Sequence, residues 1–371
     1  MSPKVELRHV TKRYESLVAL NDLILTINDG EYLTLLGPTG SGKTTTLLLI
    51  AGLIQPDKGG EIYIDDVPVA DISTENRNIG FVFARYALFP HLDVIDNLIY
   101  SPRVKGENLD ESKKSAREML ELMVLSGRGD AIPKELSGGM KQRVALARTL
   151  MSGAKLLLLD EPLGALDARI RMALRKELRK IVKDLKITAI HATNDITEAF
   201  LISDRVAILR EGTLIQIGTP AEVYEKPRNI FVANFLSDTN FFGGIVKSVD
   251  IQKKSALLEL EGDLRAKTNK TSKPENFQIV LGVRAEDIQI NPRISIDEPN
   301  HFNGEVESSK FISGTNRYEV ILENKDLVII REKASKEWFE EGDSVTISFH
   351  PRETLLFDYP EEGLEKALEF E

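Results

Sequence analysis

The 371-residue sequence predicts an α/β domain followed by an all-β domain, and three observations carry that expectation. First, the glycine-rich stretch Gly37-Pro38-Thr39-Gly40-Ser41-Gly42-Lys43-Thr44-Thr45 lies between an apolar run, Tyr32-Leu33-Thr34-Leu35-Leu36, and a leucine-rich run from Lys43 to Ala51. That order reads as strand, loop and helix. Second, Leu156-Leu157-Leu158-Leu159 is an uninterrupted apolar run that leads directly into Asp160 and Glu161, the mark of a strand buried on both faces. Third, past Asp238 the signals become short alternating strands separated by Gly, Asn, Asp and Pro, the spacing of small β-barrels.

The totals allow this. Charged residues make up 29% and hydrophobic residues 42%, as in an ordinary globular protein long enough for two or three cores. A net charge of −10 argues against wrapping nucleic acid, whose phosphates need a basic surface. With no cysteine there are no disulfides, thiolate nucleophiles or zinc–thiolate sites. No apolar run approaches the ~18 residues of a membrane span and no charged-then-apolar leader opens the chain; a cytoplasmic protein is expected, unless a partner draws it to a membrane.

In chain order, Val5–Val10 and Leu23–Ile27 alternate as two short strands, with Lys12-Arg13-Tyr14 in the loop between them. Tyr14 there either stacks on an adenine ring or is a half-buried surface tyrosine. Strands are expected at Glu61–Ile64 and Ile79–Phe83. The apolar, aromatic stretch that follows, Ala84 to His91, is core or a patch for a partner. From Val94 to about Gly127 the pattern turns helical, a helical insertion into the α/β domain. A second helix starts after Leu136-Ser137-Gly138-Gly139 and runs through Met151. Ser137 with two glycines at a helix start is either a plain N-cap or an anion site. Leu163-Gly164-Ala165-Leu166-Asp167 opens a charged helix to about Leu185, Ile187–Thr193 is a strand ending at Asn194-Asp195, and Val206–Leu209 and Thr213–Gly218 close the domain. The five histidines show no metal-ligand spacing.

The chemistry these residues suit is phosphate binding. The loop fits G-x-x-x-x-G-K-[ST], in which backbone N–H groups close around a β-phosphate, Lys43 reaches the β/γ oxygens and the Thr44 hydroxyl ligates Mg²⁺. At the carboxyl end of the apolar strand, Asp160 suits a Mg²⁺ partner and Glu161 a base for water.

The order of these motifs resembles the ATP-binding subunit of ABC transporters, over nearly the whole chain: Gly37 to Thr45, then Leu136 to Met140, then Leu156 to Pro162 with Leu163 to Asp167. The tail, with Gly282–Ile288 and Gly342–Val345, is similar to the paired OB-like domains of the importer ATPases that serve sugars, polyamines, iron and oxyanions. The resemblance implies a P-loop nucleotide-binding domain over residues 1–237, with its helical insertion at about 92–150. It implies a β domain of two OB-like barrels over 238–371, with a regulatory or dimerisation role. It also implies ATP and Mg²⁺, with Tyr14 on adenine, the loop residues and Lys43 on phosphates, Thr44 and Asp160 on the metal and Glu161 on the attacking water. Two copies would sandwich ATP head to tail, so that Ser137, Gly138 and Gly139 meet the γ-phosphate held by the other copy and Asp167 links the two sites. Phe83 to His91 would dock a permease at the cytoplasmic face of the membrane, with an external solute-binding protein reached only indirectly.

Two positions depart from that family's pattern. Ala84 stands where a glutamine touching Mg²⁺ and water is usual, and Asn194 where a γ-phosphate-sensing histidine is usual, between the expected Thr193 and Asp195. Alanine offers no side-chain hydrogen bond, and asparagine cannot take up a proton. Slow hydrolysis is the expectation. The other readings are a regulatory nucleotide-binding protein with little or no turnover and a soluble cassette in nucleic-acid work. ATP binding without turnover would mark the first of these and RNA association the second.

Overall fold

A computed structural model describes residues 2–85, 87–252, 254–270, 273–291, 300–334, 338–361 and 363–368. The chain divides into two compact units, Met1–Lys226 and Pro227–Glu371.

The first unit opens with a long hairpin, β1 (Pro3–Tyr14) and β2 (Leu17–Asn28). Both strands run further than the alternating cores Val5–Val10 and Leu23–Ile27 suggest, so Lys12, Arg13 and Tyr14 belong to strand β1 and not to a loop. In the β1 extension Thr11–Tyr14 are half-buried or exposed, which is why no apolar alternation marks it, although its β2 counterpart includes the buried Ala19 and Leu20. With β4 (Glu61–Ile64) and β5 (Val67–Pro68) the hairpin forms an antiparallel sheet in the order β2-β1-β4-β5.

The main sheet has six strands: β3 (Tyr32–Leu36), β6 (Ile79–Val82), β7 (Leu156–Asp160), β8 (Thr188–Thr193), β9 (Arg205–Arg210) and β10 (Thr213–Gly218), in the order β10-β9-β3-β8-β7-β6. All neighbouring pairs are parallel except β10 with β9. Every residue of β3, β7 and β8 is buried, so an apolar run without alternation is what this sheet requires. Successive side chains still point to opposite faces. Leu157 and Leu159 enter one core with Val144, Leu146, Leu174 and Leu178, while Leu156 and Leu158 enter another with Leu47, Ile50, Leu7 and Leu25. Each fully buried leucine contributes on the order of 2 kcal/mol.

Helix α1 (Lys43–Ala51) follows β3 and packs in the second core. Between β6 and β7 lie α2 (Val94–Leu98), α3 (Tyr100–Val104), α4 (Leu109–Leu122) and α5 (Gly138–Leu150), the helical insertion, three of which pack in the first core. Then come α6 (Ala168–Asp184), α7 (Ile196–Ile202) and α8 (Pro220–Glu225). Asn108, Ser137, Asp167 and Asp195 cap α4, α5, α6 and α7 through their side-chain oxygens.

The second unit begins with α9 (Ile230–Leu236) and continues as two five-stranded antiparallel sheets. One contains β11 (Thr239–Asp250), β12 (Ser255–Leu260), β13 (Arg265–Thr268), β14 (Gln278–Arg284) and β20 (Thr354–Asp358). The other contains β15 (Ile288–Asn291), β16 (His301–Ile312), β17 (Thr315–Leu322), β18 (Leu327–Lys333) and β19 (Ser344–Phe349). Phe242, Leu258 and Leu281 of the first sheet share one core with Phe302, Val320 and Ile347 of the second. Among the described residues no helix is long and apolar enough to cross a membrane.

Candidate functional site

Four parallel strands end on one edge of the main sheet: β3 at Gly37, β6 at Phe83-Ala84, β7 at Asp160-Glu161 and β8 at Asn194. In open parallel sheets this carboxyl edge is where ligands sit.

The loop after β3 is built for close backbone approach. Gly40 and Gly42 have φ of +83° and +98°, where an L side chain is strained, and a Cβ on Gly42 would stand 2.6 Å from the Ala19 carbonyl oxygen. A Cβ on Gly37 would stand 2.2 Å from the Leu209 carbonyl oxygen, so the loop lies flush against β9 and the hairpin. Pro38 is half-buried, Thr39 and Gly40 form the exposed tip, and Ser41 is buried.

Lys43, at the first turn of α1, folds back over this loop: its Nζ donates to the carbonyls of Gly37 (2.8 Å) and Pro38 (2.7 Å) and to Ser41 Oγ (3.3 Å). Burial holds its pKa below the usual lysine range, against the opposing pull of Glu161 and Asp160. Thr44 Oγ1 donates to both carboxylate oxygens of Asp160 at 3.0 Å, joining residues 116 apart in sequence. Burial raises the Asp160 pKa, and the Thr44 hydrogen bond opposes it. A hydroxyl and a carboxylate beside a lysine and the N-terminus of a helix form a donor set that fits a nucleotide phosphate with a hard divalent cation. Thr45 is half-buried on α1.

Glu161 is exposed and sits in a left-handed conformation, φ +45°, uncommon for a residue with a side chain. Its N–H donates to the Ala192 carbonyl of β8 at 2.9 Å. Gln142 of α5, only 2% exposed, spans the turn that follows: Nε2 donates to the Glu161 carbonyl (2.8 Å) and Oε1 accepts from the Ala165 N–H (3.1 Å). None of the sequence motifs assigns this residue a role. The signal was there, because Gln142 shares a helix face with Ala145, Leu146 and Thr149.

Ser137 is exposed and caps α5, its Oγ accepting from the Met140 N–H at 3.4 Å. Gly138 and Gly139 follow, half-buried, and a Cβ on Gly139 would lie 3.3 Å from the Ala165 carbonyl oxygen. Asp167, exposed, caps α6 by accepting from the Ile170 N–H at 3.0 Å. Tyr14 ends β1, 43% exposed, with Lys12 Nζ 5.5 Å from its ring centroid. The structure thus joins Thr44 and Asp160 directly and sets Lys43 within electrostatic reach of Asp160, whereas Tyr14, Ser137 and Asp167 stand at the ends of other elements.

Ala84 and Asn194 are both exposed at their strand ends. The segment around Asn194 is firmly held. Asp195 N–H donates to Thr193 Oγ1 (3.1 Å), and Asp195 Oδ2 accepts from Arg175 Nη2 of α6 at 2.5 Å. The same nitrogen stands 3.3 Å from Glu198 Oε2. Glu198 Oε1 in turn lies 2.8 Å from Nε2 of the fully buried His191, off the hydrogen-bond direction, and His191 Nδ1 is 3.0 Å from the Tyr32 hydroxyl.

The segment Phe83–His91 is fastened at several points, with Tyr86 outside the described residues. Buried Asn97 accepts from the Phe89 N–H (2.9 Å) and donates to the carbonyls of Phe89, Leu92 and Asp93. Arg148 donates to the Ala87 carbonyl at 2.6 Å, and its guanidinium lies 5.0 Å from the Phe89 ring centroid.

Comparison with known proteins agrees with this arrangement. Residues 20–164 match the ABC transporter family and residues 281–357 the TOBE domain. The spermidine/putrescine import ATP-binding protein PotA of Thermobifida fusca is 34% identical over 361 residues, covering 95% of this chain and 93% of that protein. The sulfate/thiosulfate import ATP-binding protein CysA of Halalkalibacterium halodurans is 46% identical over 252 residues, 67% of this chain and 70% of that protein. Among solved structures, the dimeric ATP-binding cassette MJ0796 in a post-hydrolysis state with ADP and Pi matches with a TM-score of 0.54 at 32% identity, over 58% of this chain and 98% of that one. A phosphate loop closed by its lysine, bonded to a buried strand-end carboxylate and followed by an OB-like tail, places the chain in the family of ATP-binding subunits of ABC-type importers.

Proposed function

We propose that this chain binds Mg·ATP at the carboxyl edge of β3 and β7 and hydrolyses it slowly, as a head-to-tail homodimer that drives import of a solute through membrane permease subunits. The Thr44–Asp160 contact is the observation that carries the reading, since it puts the end of the phosphate loop against a strand end that continues into Glu161. The loop N–H groups and Lys43 hold the β- and γ-phosphates, Thr44 and Asp160 hold Mg²⁺, and Tyr14 stacks on adenine. Bound Mg²⁺ neutralises charge developing on the phosphate oxygens. Glu161 orients the attacking water and accepts its proton. From a second copy, Ser137, Gly138 and Gly139 face the γ-phosphate, Asp167 lies between the two sites, and the dimeric MJ0796 cassette supports that pairing.

Ala84 and Asn194 attenuate the chemistry. Removing a preorganised donor at a developing charge costs about 3 to 4 kcal/mol, on the order of a hundred- to a thousandfold in rate. Phe83 to His91 docks the permease, and the chain works as a peripheral subunit on the cytoplasmic face of the membrane. The solute is chosen by the permease and its external binding protein; the relatives that span most of the chain are named for spermidine and putrescine, those over the cassette for sulfate and thiosulfate as well.

Phosphate release at saturating Mg·ATP tests this, with Glu161→Gln as the control. Turnover in the parent that the substitution abolishes supports the reading. Tight ATP binding with no turnover, alone or with permease present, would replace it with the regulatory alternative.

A further inference from the structure

We infer that Gln142 is a positioning residue for hydrolysis: through its side-chain amide, helix α5 sets the orientation of Glu161 in the same chain. The inference rests on the reading of Glu161 as the group that activates water. Glu161 occupies a left-handed backbone conformation that a side chain disfavours, so something must hold it there. Two holds are backbone bonds, from its N–H to the Ala192 carbonyl of β8 and from the Gly164 N–H to its carbonyl at 3.2 Å. The third is Gln142, whose amide bridges the Glu161 carbonyl and the Ala165 N–H, closing the turn from both sides. The two partners fix the amide orientation, because a carbonyl can only accept and an N–H can only donate. At 2% exposure the bridge is shielded from competing water, and losing either bond leaves a buried polar group unpaired.

The bridge also joins two parts of the site. Gln142 lies five residues beyond Ser137 on α5, whose N-terminus is the part that meets the second nucleotide in the head-to-tail dimer. On the same first turn a Cβ on Gly139 would stand only 3.3 Å from the Ala165 carbonyl oxygen, so the helix and the turn are closely packed there. A displacement of the Ser137 end of α5 is therefore transmitted to the Glu161 turn by one side chain, without passing through the sheet.

The test is the ATPase of Gln142→Met and Gln142→Glu beside the parent, with ATP affinity measured by titration. Methionine keeps the length and volume and removes both bonds. Glutamate keeps the acceptor for Ala165 N–H but sets a second oxygen against the Glu161 carbonyl. Both variants are expected to lose tenfold or more in kcat while the ATP Kd stays within twofold, a split that a general loss of packing does not give. In the Glu161→Gln background Gln142→Met is expected to change the residual single-turnover rate by less than twofold. Parent-like kcat in either variant that folds, or an equal fall in affinity and kcat, would overturn the inference. If Glu161→Gln itself leaves turnover intact, the reading of Glu161 fails instead, whatever Gln142 does.

Discussion

The carboxyl edge of the main sheet is furnished in two different ways. At β3 and β7 the side chains are held and chemically complete: Lys43 is bonded to three oxygens of its own loop, and Thr44 and Asp160 are bonded to each other. At β6 and β8 the strand ends carry a methyl group, Ala84, and an uncharged amide, Asn194, both exposed. Yet the backbone beneath Asn194 is anchored by Arg175, Asp195 and Glu198. The support on the second side is kept while the group it presents differs. On the proposed reading, holding a nucleotide and hydrolysing it rest on separate residues, so either set should be alterable without the other.

That contrast can be broken by experiment. The largest effect is expected at the anchor. Arg175→Met strips the buried Glu198 of its arginine and leaves Asp195 only the more distant Arg171 at 3.7 Å, and loss of one partner of a buried pair costs about 3 to 5 kcal/mol. Urea unfolding reads this directly, and a change under about 1 kcal/mol would show that the segment is held by something else. Next in size is Lys43→Met. Charge-assisted hydrogen bonds are worth about 1.5 to 3 kcal/mol each, so ATP binding should weaken on the order of a hundredfold. Calorimetric titration should show Ala84→Gln binding ATP within about twofold of the parent; a large gain in affinity there would erase the separation. Gly42→Ala should cost about 2 kcal/mol of stability, from the strain of φ +98° and the close approach of the Ala19 carbonyl. A neutral result would mean that the loop has room to move.

The smallest effect is a change of profile. Asparagine does not titrate, so turnover of the parent should show no limb from this position, whereas Asn194→His should introduce one near the ordinary histidine pKa of about 6.5. An unchanged rate–pH curve in that variant would place Asn194 away from the reacting groups.

Much of this was legible in the sequence, for physical reasons. A strand buried on both faces must be apolar throughout, so Leu156 to Leu159 announced β7, and the loop glycines announced positive-φ backbone. Strands with few buried positions were harder. β16 buries only Phe302 and Val306 among its twelve residues, and β13, β15 and β20 are only four, four and five residues long, so none of the four carries a long apolar alternation. In the hairpin, exposed residues paired by backbone alone put Tyr14 in a strand where a loop was expected. The side-chain bridges were invisible for a different reason. Gln142 to Ala165 and Arg175 to Glu198 join residues 23 apart, and no local pattern specifies which polar group a buried amide or guanidinium will meet.

The most direct test of the separation is phosphate release by the Ala84→Gln/Asn194→His double variant beside the parent, at saturating ATP and Mg²⁺ and with ATP Kd measured for both. Turnover is expected to rise on the order of a hundredfold, the scale that a preorganised donor contributes, with Kd within about twofold. Equal turnover in the two proteins would contradict it.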